Sequence, residues 1–537
     1  MKKNLLSMCI AASLLAGTIL TPAGADVDKS YETASASCEE HCYGALTTDE
    51  QILLDHAYTE NDVTNGIQSA AASSLPSVID LSTSPYFPPI ANQGGRGTCT
   101  AFATTYYQFT YEYNKLNRTP VSSSGFIASP QWTYSHIVGD SGDRGTAAVN
   151  LYNVLKATGA NSLEDVPYDG ADPTSRWSED FDLRAKAAEK RLKEWYTVNI
   201  PANTNVITSS NSSELETVKR RLINGNVLEV DTDTGFEYNR SSGYGTIVTR
   251  VGIKYNEKGS RSYHAMTIVG YNDNVCVDVN GDGIISPSEK GAFKVANSWG
   301  NVWENNGYVW VLYDALNEKS QILGNWESSF KNARVAAFTC GGSKSYFKFI
   351  TVMNDTPYVF GNLEFSTGSM MQTGIITQVR DDAGRVSSTK NTAFYHTGGD
   401  WAFSGTIAFP YYGITDISAA ISGCNWGFLI DDTTYDAKLI SHMKYSLTDN
   451  LGRTIIDFGN YSEIVNGNTF TDKRTMNLIL GDVDYSTTLS PSDALKVLQS
   501  TTGSYQLSNL QKYLGDFNSD GVITEKDAQL ILSASVG

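Results

Sequence analysis

The chain has 537 residues, of which 41% are hydrophobic and 18% charged. This is enough apolar sequence for several globular domains, and it excludes a globally disordered protein. Its 40 basic and 58 acidic residues give a net charge of −18, which argues against nucleic acid or an anionic membrane as the main partner, and its seven cysteines are too few for a disulfide-rich scaffold.

The N-terminus has the pattern of a secretory signal. Two lysines precede an apolar run over residues 5–20, and a small-residue cleavage site ends at Ala25. We therefore predict a signal peptide over residues 1–25 and a secreted, extracellular protein. No later stretch approaches the ~18 apolar residues of a membrane span, so the sequence predicts no transmembrane segment.

Changes in composition divide the rest of the chain into four parts: an acidic segment at 26–74, a mixed α+β domain at 75–340, a β domain at 341–478 and a small α domain at 479–537. In the acidic segment, Thr47-x-x-Glu50 predicts a capping box that opens a helix through Ala57.

The β domain has short strand-like runs separated by turns, which indicates an antiparallel sandwich. The predicted strands are Tyr346–Val352, Ile375–Val379, Thr406–Pro410, Lys444–Leu447 and Thr454–Phe458.

A Gly-rich turn precedes Cys99, and an apolar, helix-compatible run follows it. A helix N-terminus lowers the pKa of a cysteine through its backbone N–H groups and its dipole. A thiolate also needs a base and a group that orients the base. His264 at the start of a β run and Asn297 beside Trp299 supply candidates. Taken alone, Cys99 is better interpreted as a buried small hydrophobe, the commonest role of a free cysteine.

These motifs resemble the papain-like cysteine peptidases. The turn around Cys99 resembles the family's C-G-[SA]-C-[WY] pattern. The other matching stretches are Asn92-Gln93-Gly94, His264-Ala265 and Asn297-Ser298-Trp299-Gly300. Leu75–Asp80 resembles the start of the mature enzyme, so we interpret residues 26–74 as a propeptide.

The resemblance implies a role for each matched residue. Cys99 would be the nucleophile and His264 its imidazolium partner and general acid. Asn297 would orient His264, and the Gln93 side chain with the Cys99 backbone N–H would form the oxyanion hole. The implied substrate-cleft positions are Gly97, Gly145, Tyr263 and Trp299.

Three positions depart from the family pattern. Arg96 stands where a structural cysteine is common, Thr100 replaces an aromatic residue, and Tyr263 stands where an acidic or small residue is usual. None removes a reacting group. We therefore predict a cysteine endopeptidase that acts on polypeptides and needs no catalytic cofactor. The alternative is a non-catalytic adhesion or substrate-binding subunit that uses the β domain.

An insertion at residues 274–290, between His264 and Asn297, matches the calcium-loop template. The predicted ligands are Asp278, Asn280, Asp282, the backbone carbonyl of Ile284, and Glu289. Bound calcium would rigidify the connection between the base and its orienting amide. The alternative is a polar hairpin tip.

A similar motif occurs twice near the C-terminus. The second copy predicts the ligands Asp516, Asn518, Asp520, Val522 and Asp527, and the first predicts Asp482, Asp484, Ser486 and Asp493. The two copies within residues 479–537, with Asp at the last ligand position, resemble a dockerin module. The resemblance implies structural calcium and, as a partner, a cohesin domain of a scaffoldin in a cellulosome-type complex, free or attached to the cell surface.

The first copy departs from the template at Ser486 and at Thr487, where glycine is expected, so its calcium binding stays open. The alternative for the whole module is a stand-alone calcium-stabilised tail. The sequence also leaves open whether Cys276, Cys340 and Cys424 form a disulfide.

Overall fold

A computed structural model of the chain describes residues 43–58, 75–123, 125–137, 143, 145–169, 177–201, 213–256, 259–317, 334–340, 344–380, 393–395, 401–412, 414, 417–432 and 439–537. The predicted signal peptide lies outside the described residues.

The helices are α1 Glu50–Asp55, α2 Cys99–Ala101, α3 Thr110–Asn117, α4 Pro130–Tyr134, α5 Ala148–Ala157, α6 Phe181–Ala188, α7 Ser213–Ile223, α8 Ile417–Ile421, α9 Pro491–Thr501, α10 Asn509–Gly515 and α11 Glu525–Val536. A π-helical stretch, Phe102–Phe109, joins α2 to α3. Among the described residues, no helix is both long and apolar enough to cross a lipid bilayer.

The strands are β1 Val78–Asp80, β2 Lys190–Pro201, β3 Leu228–Asp233, β4 Gly235–Ser241, β5 Gly245–Gly252, β6 Tyr263–Cys276, β7 Lys290–Ala296, β8 Tyr308–Leu312, β9 Arg334–Val335, β10 Lys344–Asn354, β11 Val359–Thr367, β12 Thr373–Arg380, β13 Ala393–Tyr395, β14 Phe403–Pro410, β15 Ser422–Asp432, β16 Ile440–Asp449, β17 Thr454–Tyr461 and β18 Thr469–Asn477.

The first domain, residues 75–354, is built on a sheet with the strand order β2-β10-β3-β6-β7-β8-β5-β4, to which β1 and β9 add at β6 and β5. The middle strand β6 carries an almost uninterrupted apolar run, and residues 264–271 are all buried. Continuous hydrophobicity of this kind is typical of a strand covered on both faces. The helical stretch from Cys99 to Asn117 is one of the covering elements and packs against β6.

Strand β10 corrects the predicted boundary between the first domain and the β domain. Residues 344–354 lie in the first sheet, between β2 and β3, and not in the sandwich. On this strand, Lys348 Nζ lies 2.9 Å from Glu229 Oε2 and 2.7 Å from Asp231 Oδ2, and all three side chains are buried. Burial raises the pKa of Glu229 to about 8. A short β run does not identify its partner strand, so this pairing could not be predicted from the sequence.

The β domain, residues 359–478, is the predicted antiparallel sandwich. Its two four-stranded sheets have the orders β14-β11-β16-β17 and β13-β12-β15-β18. The rings of Phe428 on β15 and Tyr445 on β16 lie 4.0 Å apart and join the two sheets. Four of the five predicted strand runs fall within β12, β14, β16 and β17. Trp426 is fully buried in the core.

The C-terminal domain, residues 479–537, packs on the β domain and shares one hydrophobic cluster with it. Tyr485 Oη donates to Asp449 Oδ2 at 2.9 Å, and the backbone N–H of Asn509 donates to Asn450 Oδ1 at 2.7 Å. Asp449 ends β16, and Asn450 begins the turn to β17. This turn is therefore the place where the C-terminal domain attaches.

The β domain in turn contacts the first domain. The guanidinium of Arg191, on β2, lies 3.2 Å from the centre of the Tyr412 ring and 2.6 Å from the carboxylate of Asp355. Trp177 is 3% exposed and belongs to the hydrophobic cluster of the β domain. A cation–π contact and a buried tryptophan thus connect the two domains.

Helix α1 differs from its prediction. It runs from Glu50 to Asp55, and its N-cap is Asp49, whose carboxylate accepts a hydrogen bond from the backbone N–H of Gln51. The predicted capping box at Thr47 is therefore wrong. Asp is as good an N-cap as Thr or better, so the helix begins after Asp49, two residues beyond Thr47.

The ion cluster on β10 predicts a large effect of Lys348→Met. The substitution leaves two buried carboxylates without their cation, and we expect a loss of about 3–5 kcal/mol in the free energy of unfolding. Chemical denaturation followed by tryptophan fluorescence measures it. The control is Lys344→Met on the same strand: this partly exposed lysine pairs with the exposed Glu50 at 3.3 Å, and its loss should cost about 0–1 kcal/mol. Equal effects of the two substitutions would contradict the prediction.

Candidate active site

Cys99 begins the helical stretch that runs from α2 through the π-helical segment into α3, as the sequence predicted. The side chain of Cys99 is fully buried. It packs with Ala103, one turn further along the helix, and with Ala265 on β6. The helix start therefore lies against the strand that carries His264.

His264 and Asn297 are brought together by the pairing of β6 with β7. His264 Nε2 lies 2.8 Å from Asn297 Oδ1, and both side chains are buried. The Trp299 ring stacks on the His264 ring with a centroid distance of 4.7 Å and an interplanar angle of 24°. This stacking covers the hydrogen bond between the imidazole and the amide. The backbone N–H of Ser298 also donates to Asn297 Oδ1, at 2.7 Å, which fixes the amide oxygen as the acceptor.

Gln93 is held next to the same residues. Its Oε1 accepts a hydrogen bond from Ser298 Oγ at 2.5 Å, and its Nε2 donates to the Arg96 carbonyl at 2.7 Å. The Gln93 backbone N–H donates to the Ser298 carbonyl at 2.8 Å. Ser298 thus positions the amide that the sequence predicts in the oxyanion hole. Its role was missed, although it lies inside the matched Asn-Ser-Trp-Gly motif.

Arg96 cross-links the loops around the nucleophile in place of a disulfide. It is 3% exposed, and its Nη1 donates to Gln131 Oε1 at 2.8 Å and to the Asp169 carbonyl at 2.9 Å. Its guanidinium also lies 5.5 and 5.7 Å from the ring centres of Tyr134 and Tyr168. Hydrogen bonds and cation–π contacts therefore hold these loops together.

A segment from the predicted propeptide occupies the space above Cys99. The backbone N–H of Gly44 lies 3.3 Å from Cys99 Sγ. The Thr146 N–H donates to the Gly44 carbonyl at 2.7 Å, and the Leu46 N–H donates to the Thr146 carbonyl at 3.0 Å, so that Ala45 pairs with Thr146 in the parallel sense. Thr146 was not predicted as a site residue, because its backbone and not its side chain makes these contacts.

Two of the predicted cleft residues admit this close approach. A Cβ atom on Gly145, whose φ is +77°, would meet the Gly44 carbonyl oxygen at 1.8 Å. A Cβ on Gly44 would in turn meet the Gly97 carbonyl oxygen at 1.8 Å. Tyr263 contributes its carbonyl, which accepts from the Ala45 N–H at 3.3 Å. The predicted cleft positions therefore line the surface that the segment covers.

Tyr43 completes the cover over the imidazole. Its ring lies edge-on to His264, at 5.6 Å between ring centres, and edge-on to Trp299, at 5.7 Å. With Gly44 on Cys99 and Tyr43 on His264, residues 43–46 separate both groups from solvent. We call residues 43–46 the blocking segment.

Burial beneath the blocking segment raises the pKa of the Cys99 thiol to about 11, although the N–H groups of Ala265 and Gly44 oppose the shift. The sequence predicted a pKa lowered by the helix N-terminus. In this form of the chain, loss of solvation outweighs the effect of the helix.

The three predicted calcium loops share one backbone feature. In each, the fourth and sixth residues have positive φ: Gly281 and Gly283, Tyr485 and Thr487, Ser519 and Gly521. Thr487, at φ 65°, adopts the conformation that glycine adopts in the other two loops. The departure from the template at this position therefore changes the residue and not the turn.

The carboxylates of these loops organise the turns. Asp278 accepts from the N–H groups of Gly281 and Gly283 at 2.7 and 2.8 Å, and Asp516 accepts from that of Gly521 at 2.8 Å. Ser286 and Glu289 form a capping box at the end of the first loop. The other predicted ligands Asn280, Asp282, Ile284, Asn518, Asp520, Val522 and Ser486 lie in the same turns, and Asp527 lies in the first turn of α11.

One oxygen from each of Asp482, Asp484 and Asp493 lies within 4.8 Å of the others. Oxygens about 2.4 Å from one calcium ion are separated by up to about 5 Å, so this set fits a calcium ion. The loop that departs furthest from the sequence template thus has converging carboxylates. Carboxylate, amide and backbone oxygens in all three loops are the ligands that calcium prefers.

The structure forms no disulfide among the cysteines whose pairing the sequence left open. Cys99, Cys276, Cys340 and Cys424 carry no disulfide in the structure. Cys38 and Cys42 lie outside the described residues.

Residues 75–324 match the family model described as papain family cysteine protease. Cathepsin J of Mus musculus is 27% identical over 255 residues, which cover 47% of this chain and 64% of the relative. A cathepsin L-like proteinase of Fasciola hepatica is 26% identical over 243 residues, which cover 44% of this chain and 60% of the relative. The matched region thus spans less than two thirds of the length of either relative.

Among solved structures, xylellain, a cysteine protease from Xylella fastidiosa, matches at 19% identity with a TM-score of 0.37, over 59% of this chain and 99% of that one. The family model and the two cathepsin relatives support a papain-family cysteine peptidase domain at residues 75–324. Strand β10 lies beyond this match.

The raised pKa of Cys99 predicts slow alkylation of the uncleaved chain. With a pKa of about 11, only about one thiol in ten thousand is ionised at pH 7, and the rate with iodoacetamide should rise about tenfold per pH unit from pH 7 to 10. Peptide mapping of the Cys99 peptide measures the rate, and Cys276, on the same chain, serves as the internal reference. A rate that is already pH-independent at pH 7 would contradict the assignment.

Proposed function

We propose that the first domain is a cysteine endopeptidase that hydrolyses peptide bonds in polypeptides and is latent in the uncleaved chain. The observation that carries this proposal is the hydrogen bond of 2.8 Å between His264 Nε2 and Asn297 Oδ1, next to a cysteine at a helix start. A buried imidazole oriented by an amide is what a thiol nucleophile needs as its base.

The tautomer of His264 follows from its neighbours. Asn297 Oδ1 accepts from the Ser298 N–H, so it also accepts from His264 Nε2, and the proton of the neutral imidazole lies on Nε2. His264 Nδ1 is then the basic nitrogen that takes the thiol proton from Cys99. The resulting thiolate and imidazolium form the reactive pair.

In the proposed reaction, Cys99 Sγ attacks the carbonyl carbon of the scissile peptide bond. The Cys99 backbone N–H and Gln93 Nε2 stabilise the negative oxygen that forms. His264 then donates its proton to the leaving amine, and a thioester remains. Water hydrolyses the thioester, with His264 as the base, and the thiol is regenerated. Ser298 and the Arg96 carbonyl hold Gln93 in place for the oxyanion.

Latency follows from the chemistry of the blocking segment. A backbone N–H, that of Gly44, faces Cys99 Sγ, and an N–H offers no electrophilic carbon to a thiolate. Tyr43 covers the imidazole at the same time. We therefore propose that residues 26–74 contain an inhibitory prosegment.

An active-site label tests the proposed activity. After removal of the blocking segment, a peptidyl epoxide should add once to the wild-type chain. Cys99→Ala should abolish the adduct and the hydrolysis of a peptide substrate, and His264→Ala should slow both at least a hundredfold because the thiolate loses its partner. Intact-mass analysis measures the adduct, with Cys276→Ala as the matched control that keeps it. Absence of an adduct on the wild-type chain would favour the non-catalytic binding subunit.

We further propose that calcium binds the loops at 278–289, 482–493 and 516–527 and that the C-terminal domain is a dockerin-like module. The converging carboxylates of Asp482, Asp484 and Asp493 support the calcium sites. Leu495 on α9 and Leu530 on α11 are 53% and 37% exposed, which leaves apolar surface on both helices for a protein partner. The proposed partner is a cohesin domain of an extracellular scaffoldin, reached after export through the signal peptide.

Two matched variants separate the calcium sites. Chelator and Asp516→Ala should each abolish capture of the full chain by an immobilised cohesin, because the loop that positions α11 loses its ion. Asp278→Ala should leave capture unchanged and instead remove the calcium-dependent rise in the melting temperature of the first domain. Calcium-independent melting in all variants would show that the loops are polar turns, and calcium-dependent melting without capture would leave a calcium-stabilised tail.

A further inference from the structure

Residues 49–58, directly after the blocking segment, are built into the first domain. Leu53 on α1 is 5% exposed and packs in a hydrophobic cluster with Phe109, Trp195 and Ile350. Thr197 Oγ1, on β2, donates to the Leu53 carbonyl at 2.7 Å. The cluster therefore joins α1 to the helix that follows Cys99 and to two strands of the sheet. We call residues 49–58 the anchor.

Polar and aromatic contacts hold both ends of α1. Tyr346 Oη, on β10, donates to Glu50 Oε1 at 2.7 Å. The His56 ring stacks on the Trp195 ring at a centroid distance of 3.8 Å and an angle of 11°. Strand β10 thus contributes to the seat of the anchor.

The end of the anchor extends the sheet. The Thr197 N–H donates to the His56 carbonyl at 2.8 Å, and the Tyr58 N–H donates to the Thr197 carbonyl at 2.8 Å. Arg221 on α7 donates to Tyr58 Oη at 2.9 Å, and its guanidinium lies 4.1 Å from the Tyr58 ring centre. The anchor therefore ends in an isolated parallel β-bridge between Ala57 and Thr197 of β2.

The blocking segment is attached differently. Its contacts with the cleft are backbone hydrogen bonds to Thr146 and Tyr263, the contact of Gly44 with Cys99, the packing of the small side chain of Ala45 and the edge-on contacts of the Tyr43 ring. Leu46, at its end, is 39% exposed, Thr47 and Asp49 are exposed as well, and Thr48 between them is half-buried. The chain between the two parts is thus open to a protease, whereas Leu53 is not.

We propose that the anchor is a permanent part of the folded peptidase and that the activating cleavage falls at residues 46–49, between the blocking segment and the anchor. This inference rests on the proposed function, because it concerns the regulation of the same site. The cleavage is hydrolysis of one peptide bond by this or another endopeptidase: water supplies the hydroxyl of the new carboxylate and the proton of the new amine. The active enzyme then begins next to Asp49, and not at Leu75, where the sequence placed the mature N-terminus.

Two engineered chains test the inference. One carries the recognition sequence of a foreign site-specific protease in place of residues 46–48, and the other carries it directly before Leu75. Cleavage at 46–48 should raise the rate of Cys99 alkylation at pH 7 at least tenfold. Cleavage before Leu75 alone should leave the rate within twofold of the uncut chain, because the anchor keeps the blocking segment bound. The reverse result would overturn the inference.

Alkylation reports access to the thiol and not turnover, so this test remains decisive if the chain hydrolyses no peptide. Native mass spectrometry of the chain cut before Leu75 should find the fragment that contains residues 49–58 still bound. Its release would overturn the inference.

The fold can be tested separately in the inactive Cys99→Ala chain. Leu53→Ala should lower the melting temperature by several degrees, since it opens a cavity among Phe109, Trp195 and Ile350. Gln51→Ala, on the exposed side of α1, is the control and should change it by less than about one degree. Equal melting temperatures for the two variants would contradict a structural role of the anchor.

Discussion

The pairing of β6 with β7 is the constraint on which the candidate site depends. The register sets Thr267 opposite Ala296, so that His264 and Asn297 emerge at the same end of the sheet. The insertion at 274–290 lies at the other end of this pair, between the two strands that carry the base and its orienting amide. A slip of one residue between these strands would turn His264 to the opposite face. The buried apolar faces of β6 and β7 oppose such a slip and thereby keep His264 and Asn297 in a fixed relative position.

The chemistry was easier to predict from the sequence than the assembly. Cys99, His264, Asn297 and Gln93 stand in short motifs whose residue types follow from the chemistry, and the structure brings His264, Asn297 and Gln93 into one hydrogen-bonded network. Ser298 was within reach of the same reasoning. The strands of the sandwich were predicted because alternation and turns are local signals.

Contacts between residues that are far apart in the sequence could not be predicted. Lys348 looked like one residue of a short β run, and only the structure shows that it is buried against two carboxylates more than a hundred residues earlier. The position of the blocking segment on Cys99 could not be predicted from the sequence either, because Gly44 and Ala45 act through their backbone and through the absence of large side chains. The direction of the pKa shift of Cys99 was mispredicted for the same reason, because the residue that excludes solvent from the thiol lies 55 residues upstream.

The continuous packing of the three domains has a mechanical consequence. The hydrophobic cluster that contains Leu363 of the sandwich also contains Leu510 and Ile531 of the C-terminal domain and Trp177 of the first domain. Domains that pack on one continuous hydrophobic core keep a fixed orientation relative to one another as well as a fixed distance. A partner that binds α9 or α11 would therefore set the direction in which the cleft opens. Cys99 would then encounter mainly the peptides of molecules that lie next to the complex in that direction. The orientation of the cleft would then contribute to the choice of peptide substrate, in addition to the side chains that line the cleft.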